Sequence, residues 1–356
     1  MQADGTRITV LTPSAEGLEP ETVIENVRVQ RYRYAPRAWE TLAYSGTMAS
    51  QASRAKGVAS LAGLVAAGAF AMRRAIAHEA PDVVHAHWWF PGGLSALGGA
   101  GRTPLVTTVH GSDVRLAKGR SSAVGLMRRV MRRSAVVAAV SDFLADEVAE
   151  LCPGHVAQLA PMPIDLARFS PIAVPAERAR FLFVGRLNAQ KGVADLLAAF
   201  AAVDPSAQLD IVGDGEDAAA LRARAVSLGV SDRIAWLGMQ PPSELPALYR
   251  RATAIVVPSD KEGLGLVAVE AACCHTPTIG YSGGGLPDVV RDGTTGWLVT
   301  PGDTAALARA MSAVISDPAE RTRRGLAAAS AIRERFDPTV AAARYRDIYR
   351  QAITRA

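Results

Sequence analysis

The sequence predicts an α/β protein built as two Rossmann-like, doubly wound domains facing a cleft. Three observations predict it. Short runs rich in β-branched residues alternate with Ala/Leu-rich stretches of helical period, the pattern of parallel sheets covered by helices. The alternation halts at a proline-rich passage, Pro161–Pro171, and then restarts. The length, 356 residues, suits two domains of roughly 100–200 residues each.

The first series places strands at Arg7–Thr12, Val27–Tyr34, Asp82–Ala86, Leu105–Val109, Ala135–Val140 and Val156–Leu159. The second places them at Arg180–Val184, Gln208–Val212, Arg233–Trp236, Ala254–Val257, Thr276–Ile279 and Trp297–Val299. Domains are therefore expected over 1–165 and 172–339, with a last helix, 340–356, crossing back onto the first domain. Two further helices stand out. Gly57–Ala77 is Ala/Leu-rich and carries Arg73 and Arg74 near its end, and Ala123–Arg133 carries Arg128, Arg129, Arg132 and Arg133. Each suits either a peripheral contact with an anionic membrane or a core-facing helix with a solvated arginine face.

Composition narrows the class. The chain is 49% hydrophobic and 21% charged, as globular proteins are. The net charge of +5 is spread along the chain, whereas nucleic-acid binders cluster basic residues among aromatics. An anionic small substrate or an anionic membrane surface suits it. Cys152, Cys273 and Cys274 lack metal-ligand spacing, which points to a reduced, cytoplasmic chain. The start, MQADGTRITV, has no apolar signal core. The longest uncharged run, Val58–Met72, falls short of the ~20 residues that span a bilayer, so no transmembrane segment is expected.

Open α/β sheets bind ligands at the carboxyl ends of their strands, and three motifs of the second half fall there. In FLFVGRLNAQKG (181–192) a strand ends at Val184, Gly185 turns, and Arg186 and Lys191 precede a helix. A guanidinium fork, an ammonium and a helix N-terminus together suit a diphosphate, although solvated cations on a plain strand–turn–helix fit the same residues. IVGDGE (211–216) puts Asp214 and Glu216 on a Gly-rich turn that by itself signals little more than a turn. In VVPSDKEGLGLVAVEAACC (256–274), Glu262 opens a turn, Gly263, Leu264, Gly265 and Leu266 lead into a helix, and Glu270 follows eight residues after Glu262. Backbone amides there can cradle a phosphate. Glu262 can accept from sugar hydroxyls. Glu270 can reach a pair of ribose hydroxyls, or be a solvated helix carboxylate.

In order, spacing and flanks these motifs resemble the family-4 retaining glycosyltransferases of GT-B fold. That family shows VGRL…KG, a GxGxE turn, and PS…EGFGL…E with a seven-residue gap between the glutamates. It continues with a GGxPE loop and DGxTGxLV. Here the last two read GGGLPDVV (283–290) and DGTTGWLV (292–299), with Asp288 in place of glutamate and His275 where glycine is common. Neither change is expected to cost activity. The resemblance covers nearly the whole chain, loosely before residue 80 and tightly over 181–300.

The resemblance implies roles. Arg186 and Lys191 would neutralise the diphosphate leaving group, with Gly185 at the turn. Residues 263–266 would give amides to the β-phosphate, Glu262 would hold the donor sugar and Glu270 the ribose. The segment Trp236–Gln240, with Gly238 and Met239, would meet the nucleobase through main chain. No metal or other cofactor is implied, and the co-substrate would be a UDP- or GDP-linked hexose. No Asp-x-Asp ion clamp sits at a strand end.

In the first half, strand Leu105–Val109 runs into HGSD (110–113), which matches the family's segment facing the donor sugar. His110 is thereby implied in catalysis and Asp113 in binding a sugar hydroxyl. PDVVHAHWWFPGG (81–93) also matches, and implies an acceptor side lined by His85, His87 and Trp88. Core packing is the competing reading for one of Trp88 and Trp89. A His-x-His metal pair has no third ligand in sight.

One departure matters. RITVLTP, starting at Arg7, resembles the family's second strand, with VRVQRYRYAPRAWETLAY (27–44) as the next segment. No first strand or Gly-rich loop precedes it. Against the family pattern, roughly the opening 30–40 residues are expected to be absent, and activity to suffer accordingly. The expectation is a metal-independent, retaining hexosyltransferase of glycan biosynthesis. Its donor is a nucleotide-diphosphate sugar and its acceptor a glycan, lipid-linked or small-molecule hydroxyl. The rival readings are a catalytically impaired sugar-nucleotide-binding partner and a sugar-nucleotide epimerase on the same fold.

Overall fold

The computed structural model describes residues 5–44, 55–171 and 179–355. The predicted domain start at residue 172 and the ends of the chain lie outside them. Contacts divide the chain into two units. The first runs to Val140, resumes over Leu144–Ala160 and takes in Ala342 onward; the second is Ser141–Phe143 with Pro161–Ala341.

Among the described residues the first unit holds seven strands in two sheets. β1 (Thr9–Pro13) pairs parallel with β3 (Val27–Tyr32), which pairs antiparallel with β2 (Glu21–Ile24). Glu25 and Asn26 turn this hairpin at φ 48° and 65°, the double positive φ that matches strand twist in a two-residue turn. β4 (Val84–His87), β5 (Leu105–Val109), β6 (Val136–Ala139) and β7 (Gln158–Leu159) form the other sheet, all parallel and in that order. Among the described residues no strand joins β1 to β4. The helices are α1 (Ala55–Glu79), α2 (Leu94–Gly99), α3 (Ser112–Ala117), α4 (Ser121–Arg133) and α5 (Asp142–Leu151). By length and composition alone α1 is long and apolar enough to cross a membrane. It is a helix of this unit: Leu64 is fully buried and Gly63 lies against the carbonyl of Tyr34.

The second unit is one sheet of six parallel strands. They are β8 (Arg180–Val184), β9 (Gln208–Val212), β10 (Ile234–Gly238), β11 (Ala254–Val257), β12 (Thr278–Tyr281) and β13 (Gly296–Val299). The order is β10-β9-β8-β11-β12-β13. The connecting helices are α6 (Val193–Phe200), α7 (Ala218–Ser227), α8 (Leu245–Arg251), α9 (Leu266–Cys273), α10 (Thr304–Ser316) and α11 (Pro318–Phe336). Alternate residues Phe181, Phe183, Leu209 and Ile211 send their side chains into one core with Leu196, Phe200, Leu307 and Met311. Strands covered on both faces read as near-continuous apolar runs, which is why FLFV and AIVV are legible as strands. The last helix, α12 (Pro338–Thr354), puts Tyr345, Ile348 and Ala352 against Val106, Val136 and Ala138 of the first unit's parallel sheet. Cys152, Cys273 and Cys274 are buried free thiols.

Candidate active site

In the second unit, β8 and β11 are neighbours whose chains leave in opposite directions, toward β9 and toward β12. That reversal opens a crevice at the carboxyl ends of the strands. The loop after β8 and the loop after β11 close on each other backbone to backbone. A Cβ at Gly192, which sits at φ 66°, would lie 2.0 Å from the carbonyl oxygen of Pro258. The glycine therefore permits the approach that brings Lys191 Nζ to 2.7 Å from Glu262 Oε2. Both side chains are largely shielded, so the pair holds its geometry better than a surface pair does. An ammonium has three donors, and Lys191 can keep Glu262 while offering the others to an anion. Arg186 is exposed and has no protein partner among the described residues.

Gly265, at φ 85°, starts α9. Among the described residues, the amides of Gly263, Leu264, Gly265 and Leu266 have no protein acceptor. These four open N–H groups follow Glu262, which Lys191 Nζ meets at 2.7 Å, and such an arrangement can receive phosphate oxygens. A second glycine run braces the turn. Gly285 donates to the carbonyl of Glu262 at 2.7 Å, and a Cβ at Gly283 would lie 2.1 Å from the carbonyl oxygen of Asp260.

Glu270 lies on the same helix. The phenol of Tyr249 donates to its Oε2 at 2.6 Å, which fixes the carboxylate and leaves Oε1 for a ligand. Burial raises its pKa, and the Tyr249 bond opposes that rise. Trp236 packs against the core and under the guanidinium of Arg222, 4.7 Å from the ring centre. Its side chain is therefore structural, while Gly238 turns at φ 65° and Met239 is 76% exposed beside it. Main chain and Met239 are what this segment offers a planar ligand.

The first unit gathers a second cluster at the ends of β4 and β5. His87 Nδ1 and His110 Nε2 are 2.9 Å apart, so one carries the proton and the other accepts it. Packing among His85, His110 and Trp88 lowers the pKa of His87 although one edge of its ring is exposed. Burial, aided by His87, pushes His110 down to about 4. Both rings are neutral at pH 7, and the pair presents one free donor and one free acceptor. Trp88, 43% exposed, lies with its ring 5.1 Å from that of His110. Trp89 is the core tryptophan, 1% exposed.

Two implied roles are corrected here. Asp113 is 3% exposed; its Oδ1 accepts from the amides of His110 and Gly111, and its Oδ2 from that of Trp89. A carboxylate so engaged buckles two loops together rather than meeting a sugar hydroxyl. His85 spends both ring nitrogens inside the unit, 2.9 Å from the Tyr349 hydroxyl and 2.7 Å from Thr108 Oγ1. Burial pushes its pKa down to about 3. It is a post under His87, not an acceptor contact. Tyr249, Thr108 and Tyr349 are the supporting residues that sequence reasoning missed, since each acts through a partner far away in the chain. Among the described residues no group of three His, Cys, Asp or Glu side chains is arranged to hold a metal ion.

Comparison with known proteins follows the same division. The profile described as Glycosyl transferases group 1 matches residues 168–330, and the one described as Glycosyltransferase Family 4 matches residues 1–168. The chain is 36% identical over 280 residues to a glycogen synthase of Mycobacterium tuberculosis, covering 74% of this chain and 67% of that one. It is 33% identical over 295 residues to a D-inositol 3-phosphate glycosyltransferase of Acidothermus cellulolyticus, covering 73% and 65%. These matches thus span about two thirds of each relative's length. Among solved structures, sucrose-phosphate synthase from Thermosynechococcus elongatus superimposes with a TM-score of 0.84 at 24% identity, over 100% of this chain and 91% of that one. Anabaena HepE in complex with UDP and glucose does so at 0.74 and 18% identity, over 96% and 99%.

Proposed function

The chain belongs to the family-4, group 1 glycosyltransferases, and on that premise we propose a metal-independent, retaining transfer of a hexose from a nucleoside diphosphate to an acceptor hydroxyl. One observation carries the reading: Lys191, paired with Glu262, meets the turn that bears the open amides of Gly263–Leu266, with exposed Arg186 on the same loop as Lys191. Departure of a diphosphate builds negative charge on its oxygens. Cations and amides fixed before the reaction stabilise that charge without reorganising, the work a metal does elsewhere. Glu262, tied to Lys191, is placed to accept from the hydroxyls of the transferred sugar, and Glu270 from the ribose. His110, with His87 setting which of its nitrogens carries the proton, assists the transferred sugar.

Retention follows from front-face attack, with the leaving phosphate oxygen taking the acceptor's proton. A UDP-hexose is the leading donor, supported by a HepE structure in complex with UDP-glucose. The acceptor is a hydroxyl of a glycan, lipid-linked or small molecule. The test is calorimetric titration with UDP, GDP and ADP and their sugar conjugates, with Arg186→Ala as control. Tight binding of one nucleotide, weakened in the variant, supports the donor site. A folded chain that binds none overturns it. With the donor known, EDTA is expected to leave the rate unchanged, and the product's anomeric proton coupling to match the donor's.

A second reading, a sugar-nucleotide-binding partner that turns over poorly, is favoured by one observation. Among the described residues, β1 and β4 of the first unit are not joined in one sheet. Nucleotide binding with no transfer to any acceptor offered would select it.

A further inference from the structure

One surface of the first unit takes no part in the reading above. α1 turns outward a stripe at helical spacing, Ala59, Ala62, Ala66, Phe70 and Arg73, all exposed. Phe70 is 69% exposed, and Val58 next to the stripe is 57% exposed. A helix of this length with so much apolar surface outward is not covered as a core helix is. Its inner side packs on α2, where a Cβ at Gly98 would touch Ala69 and one at Gly99 would meet Ala69 and Met72. α4 also packs against α2. It exposes Leu126, Arg128, Arg129 and Arg132 and buries Met127, Val130 and Met131.

The two helices meet at the end of α2. Arg73 donates to the carbonyl of Gly98 at 2.7 Å, and Arg133 to those of Gly101 and Thr103 at 2.7 and 2.9 Å. Leu97 lines a shallow depression of about 440 Å³ together with Arg129, Arg132 and Arg133. Arg73 and Arg133 thus converge on the end of α2, with Arg129 and Arg132 beside Arg133; Arg74 and Arg128 are exposed on the same two helices, Arg128 donating to the carbonyl of Leu151 at 2.8 Å. None pairs with a carboxylate among the described residues. α2 and α4 contain no acidic residue, and α1 only Glu79, which is held by Thr9 and Arg28.

We propose that the α1–α2–α4 surface docks on an anionic lipid bilayer, its arginines at the phosphates and Phe70, Val58 and Leu126 at the headgroup boundary. Six guanidinium groups without a carboxylate partner suit an anionic partner, and each adds to attraction by a charged leaflet. A soluble anionic glycan or a free phosphate uses the arginines alone. The apolar stripe beside them, an alanine ridge with an exposed phenylalanine, has a use only where acyl chains begin. The inference stands apart from the donor site, since it involves no residue assigned there.

The test is sedimentation of the full chain with vesicles of phosphatidylglycerol and phosphatidylcholine, against phosphatidylcholine alone. Binding is expected to the first only, and to weaken as salt rises. The double change Arg129→Glu and Arg132→Glu is expected to weaken it by at least about tenfold. Phe70→Ser is expected to weaken it several-fold while leaving the net charge intact. Arg309→Glu, on the second unit, is expected to leave it unchanged, and an unaltered circular-dichroism spectrum and melting curve for every variant report that it is folded. No binding to the anionic vesicles overturns the proposal, as does equal binding by the double variant. An unchanged Phe70→Ser, with binding displaced by a soluble anionic polysaccharide, also overturns it and assigns the arginines to a glycan.

Discussion

The second unit fixes its ligand-facing groups by main chain, and the first unit fixes its own by side chains. After β8 and β11, glycine lets one backbone touch another, at Gly192 on Pro258 and Gly283 on Asp260, and amides and short ion pairs fall into place. After β4 and β5, Asp113 ties three amides, Thr108 and Tyr349 hold His85, and His87 holds His110. A site built on backbone suits a ligand common to a whole family, since hardly any side chain can change it. A site built on side chains can be retuned residue by residue.

The strongest way to break the contrast is to remove the charge that the backbone places. Lys191→Ala is expected to lower kcat/KM about a thousandfold, the size of losing a preorganised contact to developing charge. It also leaves Glu262 without its partner. Lys191→Arg keeps charge but not the point geometry and is expected to recover only part. A loss smaller than that of His110→Ala would show that the first unit, not the second, dominates catalysis.

Next comes stability. Gly213 sits at φ 127° with a virtual Cβ 1.9 Å from the carbonyl of Gly185, whereas Gly119, at φ 82°, has nothing within 4 Å. Gly213→Ala is expected to cost about 3 kcal/mol in chemical unfolding, combining strain and overlap. Gly119→Ala meets only the left-handed backbone penalty, about 1 kcal/mol. Equal costs would mean that the second unit's loops yield easily, and that the backbone is not what holds them.

The histidine pair sharpens the other half. His87→Ala is expected to lower kcat about tenfold, as losing an orienting partner does, and His87→Asn to restore part of it. The pH profile separates orientation from mere packing. His110 titrates near 4 in the intact pair, so a step needing its neutral ring is flat above that. Without His87 both the repulsion and the burial that depress it weaken, its pKa rises, and the acid limb moves to higher pH. His85 gives a stability signature. Its folded pKa, about 3, lies below the ordinary 6.5, so the unfolded chain binds the extra proton between them. Stability is therefore full above about pH 6.5 and lost progressively as pH falls toward 3. His85→Gln, followed by acid unfolding, is expected to flatten that slope.

What the sequence disclosed follows from the same contrast. β8, β9 and β11 begin and end where the apolar runs predict, because strands buried on both faces print their limits as composition. The loop glycines and Lys191, Glu262 and Glu270 were legible because they sit at fixed spacings within single motifs. β2 was missed: ETVI is exposed on its edge, and only the Glu25–Asn26 turn marks it. Asp113 was read as facing ligand because spacing says nothing of which amides a carboxylate will meet. His85 and Tyr349 are 264 residues apart, and no local pattern announces their bond.

The smallest expected effect tests how far side chains contribute inside the backbone-built site. Tyr249 donates to Glu270 Oε2 and favours its charged form, against the burial that raises the pKa. Tyr249→Phe keeps the ring and removes the donor, so Glu270 titrates higher still. Well above that range the carboxylate is charged in both proteins, and the variant is expected to bind the nucleotide about threefold more weakly, the size of one net hydrogen bond's orienting effect. As pH falls, Glu270 protonates first in the variant. A carboxylic acid accepts ribose hydroxyls less well than a carboxylate, so the ratio of variant to wild-type Kd should grow on acidification. Taking the ratio cancels titration of the nucleotide's own phosphate, which is common to both. A ratio near one at every pH would confine Tyr249 to packing and leave the ribose contact to backbone, extending the contrast between the units. A ratio that rises on acidification would place one tuned side-chain pair inside the donor site.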